Sequence, residues 1–187
     1  MVIVETNSSL PIIWRETADP EIYEQARVGR VFNRRRPNRY PLAVVEAEND
    51  EHVQQAVKLA KQLGVRVSIR SGGHSWAAWS VRDNAILIDL GKLKQISVDE
   101  DAMIATVSPS TTGSTLNEAL AARGLMFCGG HCPDVGLGGF LLQGGMGWNC
   151  KVSQYIFLPP KEPAVITDAT ELGMGMREDC GPGCRDT

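Results

Sequence analysis

The chain has 187 residues, 43% of them hydrophobic and 22% charged, and its formal net charge is −3. These values are ordinary for a globular protein long enough to bury a core. They give no reason to expect a nucleic acid or an anionic membrane as a partner. The opening MVIVETNSSLPIIWRE has neither a cationic start nor a long apolar run, so we expect no signal peptide and a cytoplasmic location. No apolar run reaches the roughly 18 residues of a membrane span.

The five cysteines, at positions 128, 132, 150, 180 and 184, are expected to be thiols because no export signal is seen. Two pairs have CxxxC spacing, but that spacing alone is weak evidence for zinc. We therefore predict no metal site.

The first half of the chain predicts a strand–helix–strand unit. A helical stretch and a basic run at 34–36, expected to be a solvated loop, precede it. LAVVEA is a short apolar strand, Asn49 or Asp50 caps a helix, and Gly64 ends that helix before the strand VRVSIR. This spacing is typical of a right-handed crossover with a parallel strand pair. RSGGHSW follows the second strand, at the end where α/β folds tend to hold ligands.

The second half predicts strands joined by turns, with a hairpin tip at 99–101, and then a helix over TTGSTLNEALAARGL ending at Gly124. Residues 129–147 contain eight glycines in 19 residues, a density that predicts neither helix nor regular strand. Because apolar side chains lie among these glycines, the segment is expected to be a backbone wall against a ligand rather than a linker. The GG pair of RSGGHSW can offer consecutive amides to a phosphate, although it matches neither GxGxxG nor a P-loop.

Three motifs together resemble the berberine bridge enzyme-like branch of FAD-linked oxidoreductases, in the vanillyl-alcohol oxidase or PCMH-type superfamily. They are RSGGHSW, VSPSTTGSTLNEAL and GGHCPDVGLGGFLLQGGMGWN. The resemblance runs from about Arg39 to Asn149 and covers most of the chain. It implies an α+β fold, a PCMH-type FAD-binding domain with its N-terminal subdomain and part of the second, and hence a truncated domain.

The resemblance also implies FAD as the cofactor, covalently bound through His74 to the 8α-methyl group and through Cys132 to C6. Such links can raise a flavin's potential and prevent its loss. Ser110 stands where family members commonly have glycine. The implied cofactor-binding residues lie in the three motifs: Arg70, Ser71, Gly72, Gly73 and Ser75 in the first, Pro109, Thr111, Thr112 and Gly113 in the second, and Val135, Gly136, Gly138, Gly139, Gly144, Gly145 and Gly147 in the third.

The expected organisation is an N-terminal helical extension (1–38), an incomplete FAD-binding domain (39–150) and an aberrant or disordered tail (151–187). The tail does not resemble the family's continuation. Codons for KVS and for LG can contain a splice donor and an acceptor, so a retained intron is one hypothesis and genuine divergence the other.

The function implied by the resemblance is hydride transfer from an alcohol, amine or sugar carbon of a small-molecule substrate to flavin, with oxygen as the expected acceptor. Family members carry their catalytic base in a substrate domain that this chain lacks. One alternative is therefore a catalytically incomplete fragment that at most binds FAD. Another is a non-flavin nucleotide-binding module that uses SGGHS as a phosphate nest.

Overall fold

The computed structural model describes residues 10–102 and 104–147, together with the backbone of Met174–Gly175. Helices and strands are mixed, as the predicted α+β class requires. In chain order the elements are β1 (Ile12–Trp14), α1 (Pro20–Val28), β2 (Ala43–Glu46), α2 (Asp50–Leu63), β3 (Val67–Arg70), β4 (Ile86–Asp89), β5 (Ile96–Asp99), β6 (Ile104–Val107), α3 (Gly113–Ala121), α4 (Leu137–Leu142) and β7 (Met174–Gly175).

The first sheet has the strand order β1-β2-β4-β3. Strands β2 and β3 both run parallel to β4, and β1 is antiparallel to β2. The two strands joined by α2 are therefore parallel, but they are not a hydrogen-bonded pair as the crossover predicted, because β4 lies between them. All four residues of β4 are buried, which suits it to the interior position.

Alternate residues of the central strands face two different helices. Val45, Ile86 and Ile88 pack against α2, where Ala56 and Leu59 are buried. Val44 and Leu87 point to the other face and pack against Tyr23 and Ala26 of α1. The sheet is thus covered by helices on both faces, and β3 ends beside the buried strand β4.

Local signals in the sequence fix the ends of α2. The Asn49 side chain accepts a hydrogen bond from the amide of His52, and Gly64 adopts a left-handed φ of 66° at the C-cap. Helix α1 begins after Asp19, which accepts from the amides of Glu21 and Ile22. For α2, the predicted caps Asn49 and Gly64 are confirmed.

The second sheet has the order β5-β6-β7. Strands β5 and β6 form an antiparallel hairpin whose turn follows Asp99, close to the predicted tip. Leu116 and Leu120 of α3 pack with Val107, Leu137 and Leu141 in a separate core.

The prediction that residues 129–147 hold no helix is wrong for α4. Its buried residues are Leu137, Gly138 and Leu141. The leucines anchor one face in the second core, and this burial offsets the conformational entropy of the glycines.

The two ends of the chain contribute strands that the sequence did not predict. The segment 1–38 holds α1, but also β1, which joins the first sheet. Met174–Gly175, within the segment expected to be an aberrant or disordered tail, pairs with β6. The rest of 151–187, and with it the intron hypothesis, lies outside the described residues. Among the described helices, none combines the length and apolar character that crossing a bilayer requires.

Candidate functional site

Three loops from distant parts of the sequence meet beside the carboxyl end of β3. We call 71–75 the first loop, 109–113 the second loop and 129–136 the third loop. A Cβ atom on Gly72 would lie 2.5 Å from Cα of Gly136, and one on Gly136 would lie 2.5 Å from Cα of Gly72. The first and third loops can touch backbone to backbone only because both positions are glycine.

Backbone hydrogen bonds join the second loop to the start of α4, directly after the third loop. The amide of Leu137 donates to the carbonyl of Thr111 at 2.8 Å, and that of Gly138 to the carbonyl of Pro109 at 2.8 Å. Gly138 also packs on Pro109, where a Cβ would lie 2.9 Å from the proline Cβ. The three predicted motifs therefore form one continuous backbone surface.

His74 and Cys132, 58 positions apart in the chain, come together at this junction. One ligand atom each from His74, Cys132 and Asp134 lie within 4.8 Å of one another. Nε2 of His74 lies 3.2 Å from Oδ1 of Asp134. The His74 side chain is only 16% exposed, which argues against a tight turn with an exposed histidine, whereas the Cys132 thiol is exposed.

The segment after α1 supports His74 from behind. The Phe32 ring stacks on the imidazole with 3.9 Å between centroids and 11° between planes. The Phe32 amide donates to the carbonyl of Gly73 at 3.2 Å. Gly73 has a left-handed φ of 74°, and a Cβ there would lie 1.9 Å from the carbonyl oxygen of Arg30. The hydrogen bond from Phe32 and the close packing of Gly73 on Arg30 hold the first loop in place.

Arg70 does not offer its side chain to a ligand, in contrast to its predicted cofactor-binding role. The side chain is 1% exposed and pairs with Asp89, and its guanidinium also donates to the carbonyls of Ala26 and Arg27. Burial lowers the pKa of Arg70 from its ordinary value, and the Asp89 carboxylate partly offsets this. Any contact of Arg70 with the cofactor would have to come from its backbone.

Asp89 also pairs with Arg30, which donates to the carbonyl of Ser71 at 2.7 Å. The two arginines thus connect the end of β4 to α1 and to the start of the first loop.

Four successive backbone amides of the first loop have no hydrogen-bond partner in the described protein. Within the described residues, the amides of Gly72, Gly73, His74 and Ser75 donate to no protein acceptor. Successive unpaired amides form a concavity that binds phosphate groups. Gly139 is exposed and lies beside Ser71. A Cβ on Gly139 would lie 4.0 Å from the hydroxyl oxygen of Ser71.

Several predicted polar groups are already engaged within the protein. The Thr112 hydroxyl caps α3 by accepting from the amide of Thr115, and the Ser75 hydroxyl accepts from the amide of Trp79. Thr111 is buried, and a Cβ on Gly113 would make an ordinary contact at 3.8 Å with the carbonyl oxygen of Pro133. The Ser110 hydroxyl is buried and has no hydrogen-bond partner among the described residues. It is a polar atom that a ligand at the second loop could satisfy.

The later glycines serve packing inside the segment. A Cβ on Gly145 would lie 2.2 Å from the Phe140 ring, and one on Gly147 would lie 2.5 Å from the Cys128 carbonyl. Gly144 has a φ of 73°. Of this segment, Val135 is partly buried, and Gly136 and Gly138 are covered by the other two loops. Close packing within the protein explains these glycines without any ligand.

Two cavities of the described chain lie mostly outside the three loops. A cavity of about 230 Å³ touches Pro109 but no other predicted cofactor-binding residue, and one of about 510 Å³ lies beside α1. The free amides, the unpartnered Ser110 hydroxyl and the paired nucleophiles fit a phosphate-bearing cofactor with a reactive ring. The His–Cys–Asp group also has the nitrogen, sulfur and oxygen donors that a borderline divalent cation prefers, although no metal site was expected.

Sequence reasoning missed Asp134, Phe32 and Arg30. Asp134 had a local signal, because it is a carboxylate two residues after Cys132 in the same motif. Phe32 and Arg30 had none, since their partners are about 40 positions away along the chain.

Comparisons with known proteins identify the family of the chain. Residues 41–183 match the family model described as FAD binding domain. The chain is 46% identical over 148 residues to the FAD-linked oxidoreductase nodO of Hypoxylon pulicicidum, covering 79% of this chain and 33% of that protein.

Two solved structures have the same fold. BBE-like 1 from Physcomitrella patens is 30% identical with a TM-score of 0.69, covering 79% of this chain and 31% of that one. Xylooligosaccharide oxidase from Myceliophthora thermophila C1, solved with xylobiose, is 30% identical with a TM-score of 0.69, covering 80% and 31%.

The chain spans about a third of the length of these relatives. Over that span, motifs, fold and sequence agree: this chain belongs to the FAD-binding domain family, with the PCMH-type fold of the berberine bridge enzyme-like FAD-linked oxidoreductases.

Proposed function

We propose that the chain binds FAD across the three loops and attaches it covalently through His74 and Cys132. The observation that carries the proposal is the convergence of a His74 ring nitrogen and the Cys132 sulfur within 4.8 Å. The 8α-methyl group and C6 belong to the same benzenoid ring of the isoalloxazine. Two nucleophiles that serve both positions must therefore be close neighbours, and these two are.

Each loop has a distinct part in this proposal. The four free amides of 72–75 bind the pyrophosphate. The exposed thiol of Cys132 is accessible, as a thiolate nucleophile must be. The backbone contact between Gly72 and Gly136 holds the two attachment loops at a fixed separation. The chain's residues thus bind and orient the cofactor.

We further propose that the whole protein oxidises a carbon bearing an alcohol, amine or sugar oxygen. Bound FAD supplies the two-electron acceptor for hydride, and dioxygen is the proposed oxidant that restores it. A second candidate function is FAD binding without turnover. The chain spans about a third of its relatives' length, so the two candidate functions have to be separated by experiment.

The test is flavin retention in the full 187-residue chain. FAD is added, unbound cofactor is removed, and the protein is precipitated with acid. We expect the pellets of the wild type and of a C128S control to stay yellow. The single variants H74A and C132S should each keep the flavin through the remaining link. The double variant H74A/C132S should release all of its flavin. A colourless wild-type pellet would refute the covalent link, and a failure to bind FAD at all would refute the function.

The two candidate functions separate in an anaerobic experiment on the loaded chain. Bleaching of the visible flavin band by an alcohol, amine or oligosaccharide, with recovery in air, supports the oxidase. A flavin band that no donor bleaches, but that dithionite does, supports binding without turnover.

A further inference from the structure

We infer that Asp134 is a positioning residue for flavin attachment: it holds His74 with Nε2 protonated, so that Nδ1 presents its lone pair. The inference rests on the proposed function, because it concerns the attachment step at His74.

The hydrogen bond sets the tautomer of His74. Nε2 lies 3.2 Å from Oδ1 of Asp134. An ionised carboxylate only accepts, so Nε2 must be the donor. A neutral imidazole with its proton on Nε2 has its lone pair on Nδ1. Within the described residues, Nδ1 of His74 has no hydrogen-bond partner and is left for the reaction.

Phe32 and Asp134 fix the ring in complementary ways. The stacked Phe32 ring, 3.9 Å away and inclined by 11°, fixes the plane of the imidazole. Within that plane, the bond to Asp134 determines which nitrogen points to the carboxylate and which points away. The donor and the carboxylate come from loops 60 positions apart. The pair therefore also ties the first loop to the third.

The chemistry of attachment gives the carboxylate a role beyond orientation. Formation of the N–C bond at Nδ1 replaces one hydrogen of the 8α-methyl group, and the imidazole loses its own N–H hydrogen. Dioxygen, the oxidant, takes up both hydrogens with two electrons and leaves as hydrogen peroxide. Positive charge develops on the imidazole as the bond forms. The Asp134 carboxylate stabilises this charge, accepts the Nε2 proton and passes it on to the departing peroxide.

The rate of attachment tests this role. In a C132S background, where only the His74 link can form, acid-stable flavin is followed over time at saturating FAD. Because Asp134 is 67% exposed, we expect D134N to slow attachment by about tenfold rather than more. D134E, which keeps the carboxylate, restores most of the rate. D101N, at an exposed carboxylate on the hairpin, matches the C132S parent. Non-covalent FAD affinity stays equal in all four proteins.

A second measurement needs no flavin. The chain has three histidines, so the ring nitrogens of His74 can be assigned by ¹⁵N NMR with H52Q and H131Q variants as references. We expect a single Nε2–H tautomer in the wild type and signals averaged between tautomers in D134L. A proton on Nδ1 in the wild type would overturn the inference.

The outcomes separate the two proposals. Normal FAD binding with an unchanged rate in D134N overturns the role of Asp134 alone. Loss of FAD binding in every variant overturns the proposed function, and the role of Asp134 in attachment with it.

Discussion

Replacing Gly73 with alanine should displace the first loop and weaken FAD binding. The added Cβ would lie 1.9 Å from the Arg30 carbonyl oxygen, so the backbone must move by roughly 1.5 Å to reach ordinary contact near 3.4 Å. Overpacking of this kind costs about 1–3 kcal/mol. The φ of 74° adds about 1–2 kcal/mol of left-handed strain for any residue with a Cβ.

Gly64→Ala is the matched control. Its φ is 66°, and a Cβ there meets nothing within 4 Å, so it carries the strain without the clash. We expect G64A to lose about 1–2 kcal/mol in urea unfolding and G73A about 2–5 kcal/mol. The dissociation constant of FAD before covalent attachment, measured by flavin fluorescence, should rise by about tenfold or more in G73A only, since tenfold corresponds to roughly 1.4 kcal/mol. Equal stability and equal FAD affinity in the two variants would refute the idea that close packing of Gly73 on the Arg30 carbonyl positions the first loop.

Three further predictions concern the frame of the site. Asp89→Asn should cost about 3–5 kcal/mol in urea unfolding, because it leaves the buried Arg70 guanidinium without its counter-charge; a loss below about 1 kcal/mol would contradict the role of this pair. The hydrogen bond from Arg27 lowers the pKa of Glu24 from its ordinary value. The ionised Glu24 therefore stabilises the fold above its unfolded-state pKa, and this stabilisation is lost as the pH falls through the lower folded-state pKa. E24Q should flatten this acid limb of a stability–pH profile, and identical limbs would argue against it. Leu116→Ala should cost about 2–5 kcal/mol, since this fully buried side chain joins α3 to α4; a thermal midpoint equal to that of the wild type would contradict that packing.

Local chemistry in the sequence predicted the parts of the fold that short-range contacts decide. Asn49 and Gly64 mark the ends of α2 because their hydrogen bonds and dihedral angles are set within a few residues. The position of β4 between β2 and β3 was not predictable in this way, since strand pairing depends on contacts between distant segments. Helix α4 was missed because the glycine density outweighs the leucines in any local count, whereas burial in the second core decides in the folded chain.

The same distinction between local signals and long-range contacts applies to the candidate site. The residue types of His74, Cys132 and the glycines were visible in the motifs. The pairing of His74 with Asp134, the stacking of Phe32 and the use of Arg70 inside the core are tertiary contacts with no periodicity to mark them. Arg70 belongs to the first motif, but its guanidinium donates to carbonyls of α1 rather than facing the loops.

Whether one flavin bridges the first and third loops can be measured directly by peptide mapping. Trypsin should release His74 in the peptide 71–82 and Cys132 in the peptide 124–151. After loading with FAD, we predict one absorbing species whose mass is the sum of both peptides and one flavin, less the hydrogens lost in two links. Two separate flavin peptides, or none, would contradict the convergence of these side chains on a single ring.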